Sequence, residues 1–190
     1  GATLDLDPLI VSILHHVQSV AQGERASLWL LDEAQSNLIC THAVGLETDR
    51  QVGSSLPVAD LQAAGIWAAA RAIKIDDVAS YAGATKFLNA TRSPVRNLIL
   101  AVLVAHGERL GAIAVANKLG QTTFSEADRA LVAALAGHAA LAIRNARLHE
   151  QRDRSNERQR VSEQISQHLQ QTLDTEVLIP LILHEVNTAI

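Results

Sequence analysis

The sequence predicts an α+β domain: a single antiparallel sheet of about five or six strands, helices on both of its faces, and a long C-terminal helix running beyond it. Three observations carry this. The runs Leu98–Val104 and Leu110–Ala116 are apolar and β-branched, and the turn Ala105-His106-Gly107-Glu108-Arg109 separates them, the pattern of a β-hairpin. Neither run alternates cleanly, so both faces of the hairpin are expected to be covered. After a polar loop to Thr123 comes Phe124-Ser125-Glu126-Ala127-Asp128, with Ser125 as N-cap, Asp128 three residues on and Glu126 in the first turn. The helix it opens carries Leu131, Leu135, His138, Leu141, Ala142 and Leu148 at helical spacing, which predicts its apolar face.

The remaining elements follow in order. Leu4 to Val20 reads as a helix, with Pro8 in its first turn and Ile10, Ile13, Leu14 and Val17 on one face. Gly23 ends it. Arg25–Leu31 and Leu38–Ala43 form a hairpin around the turn at Asp32–Asn37. Gly45–Gly53 is a polar loop, and Ser55–Val58 a short strand that Pro57 confines to a sheet edge. Asp60 caps a helix from Leu61 to Ala72, and Ile73–Ile75 is a short strand. Ala82–Arg92 is a loop with a short helix that Pro94 terminates. The first and last helices are expected on one sheet face, and the segment from Leu56 to Pro94 on the other.

Past Leu148 the composition changes. His149–Arg160 is charged or amide throughout and holds no Gly or Pro, the pattern of a solvated helical linker. Val161, Ile165, Leu169 and Leu173 then restore an apolar stripe, too short to prove a coiled coil. The final segment echoes the opening one, with a Leu-Asp pair followed by a hydrophobic helix containing His and Val. The expected organisation is a domain over 1–148, a helical linker and dimerisation helix over 149–173, and the first helix of a following domain over 174–190. A plain C-terminal amphipathic helix is the alternative for the last of these.

Composition narrows the function. Of 190 residues, 48% are apolar but only 3% aromatic, so the core is aliphatic. The net charge of −4 comes without a basic block, which argues against a nucleic-acid binder. Cys40 is the lone cysteine, so no disulfide framework exists and a reducing, cytoplasmic setting is expected. No apolar run spans a bilayer and no signal peptide is visible. Gly1 reads as an expression scar and methionine is absent, so the natural protein is expected to be longer.

The order of these segments resembles the GAF domain, a small-molecule-sensing and dimerisation module, over roughly residues 5 to 150. The match rests on a strand ending in Ala116-Asn117-Lys118, a loop, Phe124-Ser125 and Asp128, and a helix ending Ala142-Ile143-Arg144-Asn145-Ala146-Arg147-Leu148. Upstream, Ala26–Asp32 resembles the first strand of the family, Ile75-Asp76-Asp77-Val78 and Lys86-Phe87 its middle, and Arg96-Asn97-Leu98-Ile99 the start of its central hairpin. Asn117, Lys118, Phe124 and Asp128 are similar to a family signature in which the Lys and Asp pair; its final Glu is Arg129 here. A structural role is expected for these four residues.

The resemblance implies a regulatory, non-catalytic domain. Its pocket would lie between one sheet face and the segment Leu56 to Asn97, lined by Ser27, Trp29, Trp67, Ile75, Asp76, Val78, Ala79, Ser80, Phe87 and Asn97. A purine stacked on Phe87 or Trp67 and bonded to Asp76 or Ser80 makes a cyclic nucleotide the candidate ligand. Against this, the helix-start motif of nucleotide-binding relatives appears as Gly65-Ile66-Trp67-Ala68, with its second Gly lost. The partners implied are a second copy through the N- and C-terminal helices, a small molecule, and a C-terminal output domain. The alternative is a structural dimerisation module with no ligand. For catalysis there is little support: the histidines show no metal spacing, His15 and His16 point to different helix faces, and Cys40 lacks a partner. Neither a metal nor a catalytic residue is expected.

Overall fold

The computed structural model describes residues 6–46, 48, 51–63, 65–67, 72–81 and 94–188, with side chains described through 166 except at 121 and 150. The segment Ala82–Arg92, expected to hold a short helix, lies outside the described residues, as does Phe87. The elements in chain order are α1 (Leu6–Ala21), β1 (Gly23–Leu31), β2 (Asn37–Gly45), β3 (Ser55–Pro57), α2 (Val58–Ala63), β4 (Ala72–Ile75), β5 (Leu98–Ala105), β6 (Glu108–Lys118) and α3 (Glu126–Thr188). A 3-10 turn at Leu119–Gln121 joins β6 to the loop before α3. The chain divides into two units, Gly1–Ala146 and Arg147–Ile190. In the second, α3 continues without a break across 173–174, and its described side chains from 151 to 166 are exposed.

The six strands of the described residues form one antiparallel sheet in the order β3-β2-β1-β6-β5-β4. The two edges go to the two shortest strands, and Pro57 sits at one of them, where a missing N–H breaks no inner ladder. The central strands β5 and β6 are buried almost throughout, as expected of runs without alternation. On one face, Ala26, Leu28, Ile99, Leu103, Ile113 and Val115 meet Ile10, Leu14 and Val17 of α1 and Val132, Ala136, Ala139 and Ile143 of α3. On the other, Trp29, Leu38, Cys40, Leu98, Leu100 and Ala114 meet Leu56, Leu61, Ile66, Trp67 and Val78.

Two bulges set which side chains share a face. Between Leu28↔His42 and Trp29↔Cys40 the register slips, leaving Thr41 extra on β2. As a result Cys40 packs with Trp29, while His42 turns to the other face and reaches Asp7 of α1 at 3.2 Å. The second slip lies between Leu103 and Val104, beside the tight turn at His106–Gly107, whose φ values of 51° and 82° identify a primed hairpin turn.

Two expectations are corrected. The helix predicted from Leu61 to Ala72 starts earlier, at Val58, and stops at Ala63. Gly65 adopts φ 72°, its N–H bonds to the Gln62 carbonyl, and the Ile66 N–H bonds to the Leu61 carbonyl, a glycine C-cap that overrides the continuing apolar pattern. The buried face of α3 is also not centred on the leucine stripe, although Leu135 packs against the core partly buried. Val132, Ala136, Ala139, Ala140 and Ile143 face the sheet, while Leu131, His138, Leu141 and Leu148 stay exposed. Small side chains let the helix lie close to a sheet already filled by Ile99, Leu103 and Ile113.

Candidate functional site

The sheet face opposite α1 and α3 gathers five of the residues expected to line a pocket. Ser27, Trp29, Trp67, Ile75 and Val78 are all buried there. Ser27 lies opposite Ala43 and Ala114 in the ladder, and both of those pack on this face. The Trp29 indole Nε1 donates to Ser27 Oγ at 2.9 Å, and Gln51 Nε2 donates to the same oxygen at 3.1 Å. The Arg109 guanidinium lies over the Trp67 ring, 5.9 Å from its centroid.

Four other expected lining residues stand apart from that group. Asp76, Ala79 and Ser80 are exposed on the turn after β4. The Asp76 carboxylate accepts from Lys74 Nζ at 2.6 Å. Ser80 Oγ donates to Asp77, and the Ala79 N–H donates to Asp77 Oδ1 at 3.1 Å. Asp77 is thus the residue that shapes the turn. Asn97 is buried, but its amide is committed elsewhere: Nδ2 donates to the Thr122 carbonyl at 3.1 Å, and Oδ1 accepts from the Lys118 N–H at 2.8 Å.

Asn97 belongs instead to a polar joint built around Asn117 and Lys118. Asn117 takes φ 60°, a conformation asparagine tolerates better than most residues. Its Nδ2 donates to Glu24 Oε2 at 2.8 Å and to the Pro94 carbonyl at 3.1 Å, and its Oδ1 accepts from the Arg96 N–H at 2.8 Å. Arg96 Nη2 donates to Glu24 Oε1 at 2.7 Å, and the buried Arg25 guanidinium donates to the Pro94 carbonyl. The Val78 N–H donates to the Arg96 carbonyl at 2.9 Å, so the joint reaches the sheet face that carries Trp29 and Trp67.

Lys118 carries the joint to the helix ends. Its Nζ donates to the Ala21 carbonyl at 2.9 Å, at the C-terminus of α1, where a cation is favoured. It also donates to Asp128 Oδ2 at 3.0 Å. Asp128 accepts from the Ser125 N–H while its own N–H donates to Ser125 Oγ, a reciprocal cap on α3. Phe124 is buried beneath, with Lys118 Nζ 5.7 Å from its ring centroid. One lysine therefore bolts the end of α1 to the start of α3. In both Glu24 and Asp128, burial works to raise the carboxyl, but hydrogen bonds and neighbouring cations outweigh it and hold both below the usual carboxylate range.

A family model described as GAF domain matches residues 5–145. The chain belongs to the GAF domain family. Solved structures with the same fold include the GAF domain/HD domain protein from Geobacter sulfurreducens, with a TM-score of 0.65 at 17% identity, covering 77% of this chain and 96% of that one. Residues 122 to 287 of a methyl-accepting chemotaxis protein give 0.62 at 24% identity, covering 76% and 92%. A far-red cyanobacteriochrome photoreceptor gives 0.58 at 14% identity, covering 76% and 88%. No curated protein matches. GAF domains are sensory domains of signalling proteins, linked to output domains.

Within this GAF domain, the described residues hold no cluster of His, Cys, Asp or Glu arranged for a metal ion. Among them no helix is long and apolar enough to cross a membrane. Burial pushes the Cys40 thiol up to about 12, which makes it a poor nucleophile. The Glu24–Arg25–Arg96 part of the joint and the β2–β3 loop residues Gln51 and Ser54 escaped the sequence reading. The one available signal was the small polar residue Ser27 among apolar neighbours on a central strand, which asks for a buried partner.

Proposed function

We propose that this GAF domain is the regulatory, small-molecule-sensing part of a bacterial-type signalling protein. Its ligand occupies the face that carries Trp29, Trp67, Ile75 and Val78. The ligand state passes through a dimer of the first and last helices to an output domain. The observation that carries this reading is the joint at Asn117 and Lys118, which links Val78 on the pocket face, through Arg96, to the facing ends of α1 and α3. A ligand that bonds differently to the two arrangements of this joint shifts the helices by its differential affinity.

Dimerisation is supported by the outer faces of the two helices. On α1 the exposed Leu9, His16 and Val20 recur at spacings of seven and four, and on α3 the exposed Leu131, Ala134, His138 and Leu141 recur at alternating spacings of three and four. Both stripes lie on helices that pack on the same sheet face. That is the pattern of a helical interface with a second copy. The 1–148 sensor domain, the 149–173 linker and the 174–190 start of a following domain keep their expected roles in this scheme.

Thermal melting with cAMP, cGMP and other purine nucleotides, run beside sedimentation, tests the proposal. One nucleotide is expected to raise the melting temperature of a dimeric species, adding about 2.7 kcal/mol at a hundred times its dissociation constant. A dimer that no nucleotide stabilises favours the second reading, a structural dimerisation module. The deep burial of Trp29 and Trp67 is what supports that alternative, because both rings already fill the face.

A further inference from the structure

We infer that Gln51 and Ser54, with Ser27, form the polar end of the ligand site, and that this end takes an uncharged molecule through a carboxamide or lactam edge. The inference rests on the sensor reading above and goes further by naming the chemistry. Gln51 is 2% exposed and Ser54 6%, yet among the described residues Gln51 Oε1 and Ser54 Oγ have no hydrogen-bond partner. Buried polar atoms are nearly always paired, so two orphans in one short loop ask for a missing partner. The loop folds back on β2: the Gly53 N–H donates to the Cys40 carbonyl at 2.8 Å, and the Cys40 N–H donates to the Ser54 carbonyl at 2.9 Å. Those two bonds set Ser54 opposite Cys40, which packs with Trp29, so the Ser54 side chain is directed to the same face. Gln51 reaches the same face through its bond to Ser27.

The unused hydrogen-bonding capacity has a definite pattern. Ser27 Oγ already accepts from Trp29 and Gln51, which leaves its hydroxyl proton to give. Gln51 Oε1 offers an acceptor, and Ser54 Oγ offers both an acceptor and a donor. An N–H beside a C=O complements this set. The side chains that donate to Ser27 Oγ are those of Trp29 and Gln51, and neither is charged. Arg25, two positions from Ser27, turns its guanidinium to the Pro94 carbonyl. The walls beyond are Trp29, Trp67 with the Arg109 guanidinium over its ring, and aliphatic side chains, which suit a flat apolar body.

The test follows the Trp29 indole N–H resonance, since that proton is bonded into the cluster. Two tryptophans give two indole peaks, and Trp67→Phe assigns them. The probes are benzamide and uracil, with benzoate as the charged control, titrated into wild type, Gln51→Met and Ser54→Ala. Saturable movement of the Trp29 peak with an amide probe is expected, none with benzoate, and affinity falling at least about tenfold in Gln51→Met. Ser54→Ala should melt at or above the wild-type temperature, because it removes an orphaned buried hydroxyl and no hydrogen bond of the described residues. Three results overturn the inference: no saturable shift at millimolar probe, a shift of equal affinity in Gln51→Met, or a Ser54→Ala that melts lower without any probe binding, which marks a closed site around a structural water. If a nucleotide stabilises wild type and Gln51→Met alike, the sensor reading survives and only the assignment of its polar end fails.

Discussion

Gly111 admits no side chain, because a Cβ there would lie 2.0 Å from the Trp29 carbonyl oxygen and 2.9 Å from Leu30 Cα on β1. Those atoms are backbone in a central ladder and cannot yield, so Gly111→Ala should destabilise by about 1–3 kcal/mol in urea unfolding. An unchanged midpoint would mean that β1 and β6 can part. Lys118 presents a different kind of residue-scale dependence. Lys118→Met removes two hydrogen bonds and the cation beside Asp128, whose side chain is 15% exposed, so about 2 kcal/mol should be lost. The sign of the pH effect follows from the depressed carboxyls of Glu24 and Asp128. The unfolded chain takes up protons first as pH falls, so their contribution is complete above about pH 4.5 and disappears below it. The urea midpoint should hold from neutral pH to about pH 5 and then drop, and Glu24→Gln should blunt that drop. The Ser125–Asp128 cap and its Lys118 partner were legible because local spacing encodes a cap, and because the family resemblance names the pair. Gln51 was not legible: its role depends on a bond to Ser27, twenty-four positions away, and loops carry no periodicity to announce such a reach.

At the scale of elements, strand content was readable because long β-branched runs admit few other structures. The hairpin of β5 and β6 and the edge position of β3 followed from Leu98–Val104, Leu110–Ala116 and Pro57. Helix faces were harder. In α3 the leucines and the alanines each recur at helical spacing, and hydrophobicity alone favours the leucines. Packing against a full sheet favours the small residues instead, which leaves Leu131 and Leu141 at 38% and 44% exposure. This reversal makes a prediction specific to α3. Leu131→Glu with Leu141→Glu should alter the stability of the single chain by no more than about 0.5 kcal/mol per site, since neither is buried within it. Sedimentation should nevertheless show the variant as a monomer at concentrations where the wild type is a dimer. A variant that still dimerises would place the interface off this seam. In α2 the failure was of another sort, since an apolar pattern continued through Gly65 while the backbone did not. A glycine that caps and a glycine that is merely tolerated look alike in sequence.

For the molecule as a whole, the two hydrophobic clusters are not separate cores, since β1, β5 and β6 contribute alternate residues to both. Losing either cluster exposes one face of the same strands, so the unit Gly1–Ala146 should unfold in one transition. In the unit Arg147–Ile190 the described stretch 151–166 has no such support among the described residues. Its described side chains from 151 to 166 are exposed, including Val161 and Ile165, and a helix without a packed face is marginal in water. Hydrogen exchange should therefore separate the two units. Amides of β5 and β6 should exchange only through global unfolding, and those of 151–166 should exchange orders of magnitude faster in dilute protein. If the seam on α3 continues as a helical dimer, raising the protein concentration through the dimerisation midpoint should slow exchange in 151–166 and leave β5 and β6 unchanged. Protection of 151–166 that does not depend on concentration would show that this stretch is held by its own chain. Lack of protection at any concentration would leave the two copies joined through the sensor unit alone, with the signal required to pass along a helix that its partner does not hold.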